Sequence, residues 1–514
     1  MSQGNHTLRL SPAGLALSLP PGTRLHEVLF AQGVEFPCGG RGRCQGCRVK
    51  VLQGTLPIGE EEKNLLSSAE LAAGWRLACR HAIQGDLELE LAQWAMPVLT
   101  DQSSFHFIPR EGLGIAIDLG TTTLAAQLLD LATGSVLAVR TALNAQARHG
   151  GDLMSRIEYA LHGGQAGLQR LIHRQLAGLI TQLLQLHNQC EKETHPEHRQ
   201  ADQVVSRIVI VGNTVMHHLF CGLDITPLAA HPFQPAQPGR MMFSPAQLDW
   251  DLPANATVEF LPCLGGFVGS DILAGIVATG LHESSELTAL IDLGTNGEVV
   301  VGHRDRLLCT STAAGPAFEG ARISMGMRAA TGAISEVRVE DNFVSCRVIG
   351  GGEPRGLCGS GLVDAVAAGL ELGWILPSGR MANRTEMLLA GNVRLLASDV
   401  RELQLAKGAI AAGLRLLARQ FGAEPADLRQ LHLAGAFGNY ISRASARRIG
   451  LFGLPLDRIR PAGNTALLGA KRALFEEPAA WDALARRVEH VSLNEDTGFH
   501  DSYVEEMQFP AHSF

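Results

Sequence analysis

No stretch of this chain stays apolar for the eighteen or so residues that a membrane-spanning helix needs. There is no basic tract either: the net charge is −8 over 514 residues, and nothing gives the electrostatic footprint of a nucleic-acid binder. The first residues lack the charged-then-apolar pattern of an export signal. Outside one N-terminal cluster the cysteines Cys190, Cys221, Cys263, Cys309, Cys346 and Cys358 show no paired spacing. Without an export signal they read as reduced, mostly buried thiols rather than a disulfide framework. These absences leave a cytoplasmic protein with no membrane or nucleic-acid partner as the expectation. The length exceeds what one core serves, so roughly two to four domains are expected.

What is present is concentrated first in four cysteines. Cys38, Cys44 and Cys47 stand in Cys38-Gly-Gly-Arg-Gly-Arg-Cys44-Gln-Gly-Cys47, with Cys79 further on. This C-x5-C-x2-C…C layout is close to the plant-type C-x4-C-x2-C…C spacing for a [2Fe–2S] cluster. Gly39, Gly40, Gly42 and Gly46 let the backbone curl around an anionic group and aim N–H groups at its sulfurs. Four thiolates also suit zinc, although zinc sites usually pair two short knuckles, whereas here three ligands share one loop.

Around these cysteines short alternating strands (Thr7 to Leu10, Leu15 to Leu19), an amphipathic helix near Arg24 to Ala31, and strands at Cys47 to Val51 and Asp86 to Leu91 are expected. Two strands, a helix, a metal loop and closing strands resemble the β-grasp fold of [2Fe–2S] ferredoxins over residues 1–95. Residues 96–112 have no periodicity and read as a linker.

From residue 113 apolar strands run into glycine turns between helical stretches, an α/β signature. Ile115-Ala116-Ile117-Asp118-Leu119-Gly120-Thr121-Thr122-Thr123 is echoed about 174 residues later by Leu290-Ile291-Asp292-Leu293-Gly294-Thr295-Asn296-Gly297-Glu298. Each is a buried strand ending in Asp, a glycine turn with Thr or Asn, and a second strand, which suggests a duplicated fold. Such turns bring N–H groups close to a phosphate, with Gly120, Thr121 and Thr122 in the first and Gly294, Thr295 and Asn296 in the second. Asp118 and Asp292 are natural outer-sphere partners for the Mg²⁺ that accompanies ATP, because Mg²⁺ keeps most of its waters.

These segments resemble the acetate and sugar kinase, Hsp70 and actin superfamily (ASKHA). Residues 118–123 match its first phosphate loop and 292–298 its second. Residues 208–214 and 463–470 match the two connecting segments. Leu433-Ala434-Gly435-Ala436-Phe437-Gly438-Asn439 matches the adenosine motif, with Ala436 where many members have a second Gly. The resemblance implies ASKHA halves at 113–286 and 287–480 and a tail at 481–514, with Gly435, Gly438 and Lys407 as candidate nucleotide contacts. Lys407 is there because a helix flanks the adenine in such proteins; otherwise it is a solvated lysine.

A β-grasp ferredoxin joined to a duplicated ASKHA ATPase domain, an α/β multidomain chain, resembles the reductive activators of corrinoid proteins. Gly212-Asn213-Thr214-Val215-Met216-His217-His218, Gly315-Pro316-Ala317-Phe318-Glu319-Gly320 and Cys358-Gly359-Ser360-Gly361 also match that group. Larger members have an extra middle domain, and here only the short linker stands in its place. The resemblance implies an ATP-hydrolysing activator that passes one electron from a [2Fe–2S] cluster to a Co(II) corrinoid, restoring Co(I). Its partners would be an external low-potential donor and a corrinoid protein or cobalamin-dependent methyltransferase; a homodimer is left open.

Other readings remain. A small-molecule kinase would need a carboxylate base, for which Asp271 and Glu319 are the candidates. An activator of a radical dehydratase and a ferredoxin-like subunit with a regulatory ASKHA part are further alternatives. Cys358 reads as a small residue packed at a glycine turn rather than a reactive thiol. His217 and His218 read as structural rather than as a cobalt ligand. Arg41, Arg43, Arg48, Lys50, Arg76 and Arg80 form a basic rim, either solvating a loop or docking an acidic partner.

Overall fold

The computed structural model describes residues 5–11, 15–31, 42, 47–91, 105–194, 204–294, 296–496 and 498–511. Cys38, Cys44 and Thr295 therefore lie outside the described residues, as do Arg41 and Arg43.

The N-terminal region is a five-stranded mixed sheet. Its strands are β1 (His6–Ser11), β2 (Leu15–Leu19), β3 (Arg48–Gln53), β4 (Trp75–Leu77) and β5 (Leu87–Leu91), in the order β2-β1-β5-β3-β4. β1 and β5 are parallel and the other pairs antiparallel. The helix Leu25–Ala31 covers one face. The alternation in β5, buried at Leu87, Leu89 and Leu91 with glutamates between, is what a one-sided sheet requires. This is the β-grasp arrangement.

Two six-stranded sheets follow. The first contains β6 (Leu113–Leu119), β7 (Thr123–Asp130), β8 (Val136–Leu143), β9 (Val205–Gly212), β10 (Met241–Phe243) and β11 (Thr257–Phe260), ordered β10-β11-β9-β6-β7-β8. The second half has β12 (Thr288–Leu293), β13 (Gly297–His303) and β14 (Arg306–Thr312). It continues with the insertion strands β15 (Ala333–Glu340), β16 (Phe343–Val348), β17 (Gly356–Leu357), β18 (Glu386–Ala390) and β19 (Val393–Leu396), then β20 (Gln430–Ala434), β21 (Ile459–Gly463) and β22 (Val488–His490). Its main sheet runs β21-β20-β12-β13-β14-β22.

In each half an antiparallel meander is flanked by two parallel strands, β6 with β9 and β11, β12 with β20 and β21. The duplication suggested by the repeated turn is thus present in the strand order. What differs lies between equivalent strands. The first half inserts the long helix Gln165–Thr194, the second inserts β15–β19 and the helices Gly359–Glu371 and Ala397–Arg419.

The layering explains where the acidic residues point. Leu113, Ile115, Ile117 and Leu119 pack outward against helical residues such as Leu176 and Phe220, while Ala116 faces a middle layer. That middle layer holds the helices Ser270–Thr279 and Thr465–Ala473 and also receives Leu290 and Val300 of the second sheet. Because strand side chains alternate, Asp118 shares the face of Ala116, and Asp292 that of Leu290. Both aspartates therefore point into the layer the two sheets share. The two middle helices approach closely: a Cβ on Gly469 would lie 2.4 Å from the Ala274 carbonyl oxygen.

Of residues 481–514, expected to be a tail, the described ones join the second half. β22 pairs with β14, and the helix Phe499–Glu506 packs on Ala397–Arg419. A three-residue strand and an eight-residue helix carry too little periodicity to be read from sequence.

Candidate functional site

Four carboxylates meet in the layer between the sheets. Asp118 ends β6, Asp292 ends β12, Glu298 begins β13, and Asp271 lies in the first turn of the helix Ser270–Thr279. Burial raises Asp118 to about 6, opposed by a hydrogen bond from Asn464. Burial and then the Asp118 charge raise Asp292 to about 7. Asp271 is pushed up to about 8 by burial, then by Asp292 and Asp118. Glu298, 8 % exposed, is raised well above its ordinary value by burial and by Asp271 and Asp292, while Ser311 opposes. Like charges held together out of water cannot all ionise. Among the described residues no three such side chains are placed to ligate a metal ion directly, so a cation here would have to be held through its waters.

The helix that follows the last parallel strand of each half supplies one residue to the other half's aspartate. Asn464 caps the helix Thr465–Ala473 through Leu467 N–H, and its Nδ2 donates to Asp118 Oδ2 at 3.1 Å. Asp271, in the corresponding helix of the first half, feels the charge of Asp292 more strongly than that of Asp118.

The first phosphate loop is held from behind. Asn144 Nδ2 donates to the Gly120 carbonyl at 2.9 Å, Asn144 N–H donates to the Thr122 carbonyl at 2.8 Å, and the Arg156 guanidinium donates to the Thr121 carbonyl. Both Asn144 and Arg156 are fully buried. In a planar trans peptide the N–H points opposite to the preceding carbonyl, so the N–H groups of Thr121 and Thr122 face away from Asn144 and Arg156. In the second loop, Gly294 N–H donates to the Asn296 carbonyl at 3.0 Å. Gly297 sits where a Cβ would lie 2.6 Å from Ile410.

In the adenosine motif Gly435 has φ +81°, and a Cβ there would stand 2.5 Å from Asp292 Oδ1. Only glycine fits this approach to the carboxylate. Gly438 lies inside the helix Gly435–Tyr440 against Leu433. Lys407 is not the solvated residue of the bland reading. It is 1 % exposed, its Nζ donates to the Gly450 carbonyl at 3.2 Å, and it lies 3.9 Å from Glu506. Burial lowers it to about 8 against the pull of Glu506. Its ammonium is engaged by the C-terminal helix, which the sequence had read as tail.

At the cysteines, Cys47 precedes β3 and Cys79 lies in the turn Ala78–Arg80. The hairpin of β3 and β4 brings them together, with Ala78 N–H donating to the Cys47 carbonyl at 3.1 Å. Gly42, in the cysteine-bearing segment, has φ +67°, and a Cβ there would meet Arg80 Nε. A paired set of sulfurs beside a glycine-only backbone position fits a cluster of the ferredoxin kind.

Sequence reading missed Glu62, fully buried, whose carboxylate accepts from Gly59 N–H, Leu77 N–H and His81 Nε2 at 2.7–2.8 Å. Burial opposes ionisation, but these donors hold it below the ordinary carboxylate range. It pins the turn that carries Cys79. Within Glu60-Glu61-Glu62 nothing marks the third glutamate except its spacing from Gly59. Three of the basic rim residues have partners within the domain: Arg48 pairs with Glu70, Arg76 donates to the Leu56, Leu71 and Trp75 carbonyls, and Arg80 pairs with Glu61.

His217 and His218 are fully buried, with His217 edge-on to Phe260 and lowered to about 3, chiefly by burial. A place in the core is what the structural reading of the pair required. Cys358 is 2 % exposed, with its Sγ near the Ile334 carbonyl and Ser360 Oγ. Among the described residues no helix is long and apolar enough to cross a membrane.

Three family models match the chain. One described as a 2Fe-2S iron-sulfur cluster binding domain covers residues 9–84, the RACo middle region covers 113–284, and the C-terminal domain of RACo, the ASKHA domain, covers 286–514. The expectation that a middle domain is missing is thereby corrected: the residues that match that region fold as the first six-stranded half. The fold repeats so closely between halves that sequence reading assigned both to one ATPase unit.

The chain is 37 % identical to the corrinoid activation enzyme RamQ of Eubacterium limosum, over 77 % of this chain and 70 % of that protein. It is 26 % identical to the [Co(II) methylated amine-specific corrinoid protein] reductase of Methanosarcina barkeri, over 77 % of each. A solved structure described as a reductive activator for corrinoid, iron-sulfur protein superposes with a TM-score of 0.66 at 26 % identity, covering 98 % of both chains.

Proposed function

The chain belongs to the family of reductive activators of corrinoid proteins, and from that premise we propose that it hydrolyses ATP to drive one electron onto the Co(II) corrinoid of a partner protein, restoring Co(I). The observation that carries the ATP half is the convergence of Asp118 and Asp292, from opposite sheets, on one buried layer. When bound, a [2Fe–2S] cluster supplies a one-electron carrier; Cys47 and Cys79 would hold it with Cys38 and Cys44.

Asp118 and Asp292 would hold Mg²⁺ through its waters, which is how this ion is usually bound beside nucleotide phosphates. Asn464 orients Asp118, and the N–H groups of Thr121 and Thr122 face the phosphates. Gly435 admits the nucleoside side of ATP next to Asp292. Lys407, tied to Gly450 and Glu506, would support that side through the packing of its helix.

The electron comes from an external low-potential donor and ends on cobalt. Plant-type clusters sit around −400 mV. For one electron each 59 mV of unfavourable gap costs about tenfold, near 1.4 kcal/mol. ATP offsets such a gap only if its bound states differ in affinity for the partner complex.

The deciding experiment separates the halves. Cys44→Ser should still hydrolyse ATP but fail to produce Co(I), followed by absorbance with a methyl donor as trap. Asp292→Asn should keep a reducible cluster yet lose net Co(I) formation. Co(I) formed equally well without ATP, or an alcohol phosphorylated instead, would sink this reading and return Asp271 to consideration as a kinase base.

A further inference from the structure

The residues that hold the first phosphate loop from behind also carry the ferredoxin domain. Asn144, bonded to the carbonyls of Gly120 and Thr122, caps the short turn Ala145–Arg148. Ala145 and Ala147, each 7 % exposed, belong to the same apolar cluster as Leu8, Leu10, Leu25 and Leu29 of the ferredoxin domain. Leu143 and Leu171 pack at its margin. Arg148 bears electrostatically on His26, in the helix Leu25–Ala31 that leads into the segment with Cys38. The turn cannot slide freely beneath this contact. Gln175 bonds both Ala145 N–H and the Leu143 carbonyl, and Gln146 Nε2 donates to the Leu168 carbonyl.

On the other side, Glu90 of β5 forms an ion pair with Arg355 in the insertion of the second half. The ferredoxin domain thus touches both halves, through apolar packing on one and through charge on the other.

We propose that the turn Ala145–Arg148 is the docking surface on which this chain's own ferredoxin domain reads the state of the first phosphate loop. The proposal rests on the ATP reading above and deepens it. When phosphate oxygens draw on the N–H groups of Thr121 and Thr122, the same rigid peptide planes reorient their carbonyl ends. Asn144 and Arg156, fully buried and bonded to those carbonyls, have no room to stay behind. Ala145 and Ala147, one and three residues beyond Asn144, pass the shift to the helix Leu25–Ala31. The Glu90–Arg355 pair, long-ranged and partly exposed, keeps the domain across both halves while the apolar contact adjusts.

Hydrogen–deuterium exchange on the full chain, with and without Mg–ATP, tests it. In the wild type, nucleotide should slow exchange in residues 118–123 and change it by about twofold or more in the helix Leu25–Ala31. Ala147→Glu puts an unpartnered charge into the apolar contact. It should abolish the response of that helix while ATP turnover stays within about twofold and the visible cluster spectrum persists. Ala147→Ser, smaller and neutral, should retain the response and guards against a variant that misfolds. Protection of 118–123 with no change at Leu25–Ala31 in the wild type would overturn the proposal and leave the ATP reading standing. So would an Ala147→Glu variant that responds as the wild type does. No protection at 118–123 at all would overturn both.

Discussion

The two phosphate hairpins are built on the same strand order but close differently. In the first, Leu119 pairs with Leu124, leaving four residues in the turn; in the second, Leu293 pairs with Gly297, leaving three. One residue of difference changes which side chain stands opposite the aspartate. Asp118 faces Ala125, whereas Asp292 faces Glu298. Facing carboxylates on neighbouring strands repel, and Asp292 accordingly helps to raise Glu298, whereas Asp118 is eased by Asn464. The backing differs too. The first loop is held by polar side chains that reach the ferredoxin contact, the second by Ile410 and by Thr312, whose Oγ1 donates to the Gly297 carbonyl at 2.8 Å. The turn behind the first loop thus meets the ferredoxin domain, while the second aspartate is faced by a glutamate.

The strongest test of that division removes each aspartate in turn. Asp118→Asn and Asp292→Asn should each lower ATP hydrolysis on the order of 100-fold, since each removes charge that positions Mg²⁺ at the transferring phosphoryl group. The cluster spectrum should be intact in both. Unchanged hydrolysis in either would break the symmetry of the two halves.

Next in size is the pH dependence of stability without Mg²⁺ or nucleotide. Asp118, Asp292 and Asp271 are raised to about 6, 7 and 8 from an ordinary value of 3.8. The folded state therefore binds protons that the unfolded state releases, and this contribution, full below about pH 4, is lost progressively as pH rises from there to about 8. Melting temperature should fall by several degrees over that window, at roughly 3 °C for each kcal/mol. Asp292→Asn should flatten the slope more than Asp118→Asn, and Mg–ATP should reverse it.

Equivalent glycines should differ as well. A Cβ at Gly120 would lie 2.4 Å from the Thr123 carbonyl oxygen, whereas at Gly294 the nearest atom is 3.7 Å away. Gly120→Ala should cost about 1–3 kcal/mol in urea unfolding, and Gly294→Ala less than about 0.5 kcal/mol. Equal costs would mean the turns are not as different as their registers imply. The smallest effect is at Glu298. Burial holds Glu298 protonated, so Glu298→Gln removes little charge and the acidic limb of the ATPase pH profile should stay within about half a unit of the wild type.

Much of the site could be read because its signals are local. Glycine, Thr and Asp at a strand end specify a turn within a few residues, and cysteine spacing marks a metal loop in the same way. The facing glutamate escaped notice because a one-residue change in turn length is invisible until the strands are paired. The burial of Lys407 could not be read, because the segment covering it, Phe499–Glu506, comes from about a hundred residues further along the chain. The burial of Glu62 has no local mark for the same reason, since its partners Leu77 and His81 lie 15 and 19 residues away.

By itself the sequence determined a ferredoxin-like domain, a twice-built α/β unit, and two aspartates that each end a strand before a glycine turn. Strand ends and turn chemistry are properties of contiguous residues, so they survive without coordinates. Only the tertiary structure decided that Asn464 reaches Asp118 across 346 positions, that four carboxylates share one buried layer, and that the turn behind the first phosphate loop bears on the ferredoxin core. Those contacts depend on how two sheets bury a common pair of helices, and no local pattern encodes the distance between charges that packing brings together.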